Sequence, residues 1–180
     1  RSPGTANIRI GLRFTIIDID HEGTAMTYWR MQLHPSEAEG AIRHTVKCLA
    51  AGYIGLDFTG EVPDLMTIEQ SALPSNQRNY WGFAHEMEIG DRILLFAHHY
   101  PLALARVSGP YNYIRAQAPE IGVWFRHFRT VDDIRYYGDF VTYPREWENL
   151  VMTATITPLR ETDSGSFQLI ERWLLSNQRS

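Results

Sequence analysis

Cysteine, lysine and long apolar runs are what this chain nearly lacks. Cys48 is its single cysteine, so no internal disulfide can form and no zinc knuckle can be built. A lone thiol in an apolar helical stretch reads as packing rather than as a nucleophile. No segment approaches the roughly 18 consecutive apolar residues that a membrane span needs, and no charged leader, apolar core and cleavage site marks a secretory signal. The expectation is a soluble, cytoplasmic protein with no membrane partner. The seven histidines include no H-x-x-x-H or H-E-x-x-H pair, and adjacent His98 and His99 on a strand would face opposite ways. G-x-S-x-G, P-loop and G-x-G-x-x-G signatures are also missing, which removes the commonest hydrolase, nucleotide-hydrolase and dehydrogenase readings. No metal and no cofactor is expected.

What is present is ordinary globular material, 180 residues with 44% hydrophobic and 21% charged, enough for one sizeable core. Met26 stands directly before a good opening strand, so residues 1–25 are expected to be a leader or vector-derived segment. Its alternating Ile8, Ile10, Leu12, Phe14 and Ile16 would let it add an edge strand. Residues 27–180 are expected to form a single domain. The net charge of −4 argues against nucleic-acid binding by bulk electrostatics. The charge is uneven, however. Arg106, Arg115, Arg126 and Arg129 against Glu120 make 106–129 a basic segment, and all but one of the seventeen basic residues are arginine, which grips phosphate bidentately. A genome rich in arginine codons would give the same usage.

The pattern predicts strand, helix, strand, helix and then mostly strands. Residues 27–33 alternate as a strand, and Ser36 with Glu39 offers a capping box for a helix ended by Gly52. A short strand follows over 53–58, then an acidic connection with helical character around 63–71. A helix is expected over 76–88. Strands are expected over 92–97, 102–107, 122–129 and 154–159, with Asp132 and Asp133 in a turn and a last helix over 167–175.

No catalytic constellation emerges. Asp64 and Glu69 are spaced somewhat like the acids of metal-dependent nucleases, but that site needs a lysine beside its second acid. The only lysine, Lys47, lies upstream on a helix face. Most aromatics, Trp81, Phe83, Trp147 and Trp173 among them, have core spacing. Tyr111 and Tyr113 differ, because they sit in a Gly-Pro turn, and turn residues disproportionately carry recognition. Two tyrosines flanked by arginines suit a stacked base beside phosphates. The competing reading is a Tyr-rich turn folded over the end of a barrel.

The motif order Tyr53-Ile54-Gly55-Leu56-Asp57, His85-Glu86-Met87-Glu88-Ile89-Gly90-Asp91, 105–113 and Val123-Trp124-Phe125 resembles EVE-like members of the PUA superfamily, relatives of YTH domains. Similar reader modules occur in modification-dependent restriction systems, including the specificity domains of McrB-type proteins. The resemblance spans 27–175. It implies an α+β pseudo-barrel of about six strands with flanking helices, holding an aromatic pocket for a modified base flipped from duplex DNA. On that reading Tyr53, Ile54, Gly55, Leu56 and Asp57 form one wall, with their backbone reading the base edge, and Tyr111 and Tyr113 form the other. In YTH relatives an aromatic follows the first helix, and the matching position here is Tyr53 or Ile54. Gln32 and His34 could hydrogen-bond the base, Trp124 adds a further pocket candidate, and the four arginines would meet phosphates. The implied partner is modified double-stranded DNA, with a fused or associated nuclease or AAA+ motor. The alternatives are an RNA-binding PUA-like module, and a small-molecule barrel or enzyme using His34, Asp57 and His85.

Overall fold

The strand expected from Thr27 forms as β1, Tyr28–Gln32, in a computed structural model that describes residues 26–33, 38–56, 62–97, 100–117, 125–138, 150 and 154–176. Helix α1, Ala38–Ala50, stops where Gly52 turns to a φ of +76°, a left-handed conformation that glycine adopts without a Cβ penalty. The Gly52 N–H then donates to the Leu49 carbonyl at 2.9 Å. Strand β2, Tyr53–Leu56, follows directly. The acidic connection carries three short 3₁₀ turns, the first capped by Asp64, whose carboxylate accepts from the Met66 N–H at 3.0 Å.

Helix α2, Arg78–His85, is shorter than expected, because the preceding turn over Ser75–Gln77 is 3₁₀. Its C-terminus tightens where the N–H groups of Glu86 and Met87 both reach the Gly82 carbonyl at 2.9 Å. Strands β3, Arg92–Ala97, β4, Tyr100–Val107, β5, Asn112–Tyr113, β6, His127–Tyr136, and β7, Ile156–Pro158, precede helix α3, Gly165–Ser176.

The strands run in the order β2-β6-β4-β3-β1-β7, with β5 pairing beside β6. Among the described residues the result is a mixed α+β fold, a seven-stranded sheet curled into a half-barrel with three α-helices. Among the described residues only β1 and β3 pair in parallel, and the other pairings are antiparallel. Strand β3 reads as a continuous apolar run because both its faces are covered. Ile93 and Leu95 join the larger core with Trp29, Met31 and Phe83, while Leu94 and Phe96 join a second core with Leu169 and Ile170 of α3. Each such fully buried side chain stabilises the fold by about 1.5–3 kcal/mol.

A buried acid ties the sheet to the turn before it. The Asp91 carboxylate accepts from Trp29 Nε1 at 2.8 Å and from the N–H groups of Thr27 and Glu88 at 2.9 Å each. Burial pushes its carboxyl pKa up, and the three donors pull the other way. Burial likewise pushes the Cys48 thiol up to about 12, so it stays protonated and serves as packing.

Strand β6 corrects two sequence expectations. It begins at His127 rather than near 122, Phe125 and Arg126 being irregular and 118–124 lying outside the described residues. It then runs straight through Asp132 and Asp133, which were expected in a turn. Their charge is answered across the sheet: Arg106 donates to both oxygens of Asp132 at 2.8 Å, and Asp133 accepts from Arg92 at 2.6 Å and from Arg135 at 2.9 Å. Asp133 takes a φ of +43° where the β4–β6 register slips, Arg106 facing Asp132 but Leu104 facing Arg135. That is a bulge, one extra residue on β6.

Candidate functional site

The two expected pocket walls lie on opposite sides of one strand. At its start β6 is flanked by β2 and β5, so that Leu56, His127 and Tyr113 form one cross-strand row and Gly55, Phe128 and Asn112 the next. Directly opposed residues share a face. On the inward face Ile54, Leu56 and His127 are fully buried. The Gly55 position is closed as well, since a Cβ there would run into the Phe125 ring. What β2 can offer is its main chain and half-buried Tyr53, which meets Phe128 edge-on with 5.5 Å between centroids. Phe125 in turn meets His44 of α1 edge-on at 5.4 Å.

Tyr113 tilts onto His127 at 5.1 Å and stays half exposed. Tyr111 is held differently. Its hydroxyl accepts from the Leu65 N–H at 3.0 Å and lies 2.8 Å from His127 Nδ1, while its ring meets Phe83 edge-on at 6.2 Å. Burial raises the Tyr111 pKa, the Asp64 carboxylate adds to the rise and the Leu65 N–H acts against it, so the phenol keeps its proton. Tyr111 is therefore a latch between the loop after β4, the first 3₁₀ turn and β6. It is not a freely standing rim residue.

Of the four arginines, Arg129 departs furthest from the expected phosphate contact. It is 4% exposed, and its guanidinium donates to the carbonyls of Phe83 at 2.8 Å, Ala84 at 3.2 Å and Gly109 at 3.2 Å, with its centre 5.7 Å from the Phe83 ring centroid. Phe83 and Ala84 carry last-turn carbonyls of α2 that no further helical turn satisfies, so a buried cation caps the helix and favours its negative end. Arg106 is exposed but engaged bidentately by Asp132. Arg115 is exposed and Arg126 half-buried. The Ile114 N–H donates to the Arg126 carbonyl at 2.8 Å, extending the β5–β6 ladder by one step. These two arginines border Tyr113 and His127.

Gln32 ends β1, where it faces Phe96 of β3 and its N–H donates to the Thr155 carbonyl at 2.8 Å; three strands stand between β1 and β2 in the sheet order. His34, Asp57 and Trp124 lie outside the described residues, as do His98, His99 and Trp147. His85, from the enzyme alternative, stacks on Trp81 at 3.9 Å with its Nε2 2.9 Å from the Leu65 carbonyl. Sequence reasoning missed Phe125, His127 and Phe128. The signal for them was the alternation of His127, Arg129 and Val131, a period-two pattern obscured by the polarity of two of the three.

Among the described residues no group of three or more His, Cys, Asp or Glu is placed to hold a metal ion, and no helix is long and apolar enough to cross a membrane. Fold and site together define a mixed α+β half-barrel with an aromatic-lined strand junction at one end of its sheet. Compared with models of known protein families and with curated proteins, the chain matches none.

Proposed function

We propose that the chain is a non-catalytic DNA-binding reader of a modified base, of the EVE-like, PUA-related kind, and that the junction of β2, β6 and β5 receives that base. The observation that carries this reading is the pair of cross-strand rows, Leu56–His127–Tyr113 and Gly55–Phe128–Asn112, which sets both motif-bearing segments against one strand. Tyr113 supplies aromatic surface on the His127 face of the sheet, Tyr53 and Phe128 supply it on the other face, and Arg115 and Arg126 supply adjacent positive charge. In this proposal Tyr113 stacks on a flipped base, a stack worth about 1–3 kcal/mol. That offsets an extrusion cost of a few kcal/mol. The β2 main chain reads the base edge, and an apolar fit reads the methyl or other substituent of N6-methyladenine or a 5-substituted cytosine. Cleavage, in this scheme, belongs to a fused or associated nuclease or AAA+ motor.

The experiment is a fluorescence-anisotropy panel with duplex DNA carrying a single modified base, the same duplex unmodified, and matched RNA. Preference for one modified duplex supports the proposal. Equal affinity for modified and unmodified duplexes removes it, and preference for RNA transfers the site to an RNA-binding PUA-like module.

A further inference from the structure

At the opposite end of the strand order from β2, a groove of about 560 Å³ opens between β1, α2, β7 and the connection into α3. We propose that this groove is a second binding site, one that takes a phosphate group. Three guanidinium groups from three separate elements line it: Arg30 from β1, Arg78 from the first turn of α2, and Arg160 just after β7. Arg30 sits mid-strand, opposite Leu94 of β3 on one side and Thr157 of β7 on the other. Burial lowers its pKa, the sign of a cation held partly away from water. Arg78 is exposed and makes no ion pair among the described residues. Arg160 reaches Glu86 at 3.4 Å, but the two side chains are 77% and 39% exposed, so the pair is weak and an incoming anion can displace it.

The planar fork of arginine matches phosphate oxygens, and three forks around one groove match them from several sides. Glu86 and Glu161 also line the groove, which leaves a small local excess of positive charge. That balance suits one discrete phosphate better than a long polyanionic track. The phosphate has two possible sources, a small phosphate monoester or one phosphodiester of a nucleic acid crossing the β1–β7 edge. The site stands apart from the base-reading proposal and does not depend on it.

The test is calorimetric titration of the full chain at low salt with three probes: inorganic phosphate, adenosine monophosphate and an unmodified single-stranded DNA decamer. Wild type should bind at least one, and the double variant Arg78→Gln/Arg160→Gln should bind it at least tenfold more weakly. Both residues are exposed, so the variant should keep the wild-type melting temperature. Lys47→Gln, at an exposed position of α1 that does not line the groove, should leave this binding unchanged. Binding of phosphate or the monophosphate assigns a small-molecule site, and binding of the decamer alone assigns a backbone contact. Silence with all three probes overturns the proposal, as does binding that the double variant leaves intact.

Discussion

The Tyr111 hydroxyl lies 2.8 Å from Nδ1 of His127 while accepting the Leu65 N–H at 3.0 Å, so one phenol joins three chain segments that are distant in sequence. Removing that oxygen leaves a main-chain N–H and an imidazole nitrogen without their partner in a half-buried site. Tyr111→Phe should therefore destabilise the fold by about 1–3 kcal/mol, read as a lower urea midpoint at an unchanged m-value. Unaltered stability would mean that water replaces the hydroxyl without cost.

Arg129 offers a sharper contrast between a structural and a binding role. Arg129→Met keeps the apolar stem but removes the donors to the Phe83, Ala84 and Gly109 carbonyls, and should cost about 2–3 kcal/mol of stability. The salt dependence of nucleic-acid binding, measured on the folded fraction, should stay at the wild-type slope. Arg115→Gln should do the reverse, flattening the slope while leaving the melting temperature in place.

Gly55 tests how tightly the β2 wall is closed. A methyl group there meets the Phe125 ring, and Phe125 is itself packed against His44. Gly55→Ala should cost about 1–3 kcal/mol through overpacking. A melting temperature equal to wild type would show that Phe125 can swing aside.

These positions show what was legible in the sequence. The end of α1 at Gly52 and the extent of β3 were readable, because a left-handed cap and a doubly buried strand leave local marks on composition. The course of β6 was not. Asp132 and Asp133 look like turn residues until Arg106 and Arg92 arrive from other strands to neutralise them. Arg129 misled for the same reason, since the carbonyls that justify burying its charge belong to α2, more than forty residues earlier. At the candidate site the sequence picked out β2 and Tyr113. It could not say that His127 and Phe128 would lie between them, because pairing of both segments with one strand is a property of register.

The acid pair on β6 makes a pH prediction. The Arg106 hydrogen bonds hold the Asp132 carboxyl below its ordinary value. For Asp133, burial acts upward but is outweighed by the hydrogen bonds from Arg135 and Arg92, so it too is lowered. A depressed carboxyl pKa contributes stability that is present above the unfolded value of about 3.9 and is lost as pH falls through the folded value. Asp133→Asn tolerates the positive φ and removes the charge. Melting temperatures from pH 7 down to pH 2 should fall less steeply below pH 4 in this variant than in wild type. Parallel curves would show that the Asp133 ion pairs carry none of the acid sensitivity.

The most direct measurement of the central claim compares wild type and Tyr113→Ala on one duplex with and without a single modified base, at fixed salt. Stacking at the β2–β6–β5 junction predicts tighter binding of the modified duplex by wild type, and a loss of about 1–3 kcal/mol of that affinity in the variant, with the fold unchanged. Equal affinity of wild type for both duplexes, or a variant that discriminates as well as wild type, would contradict it.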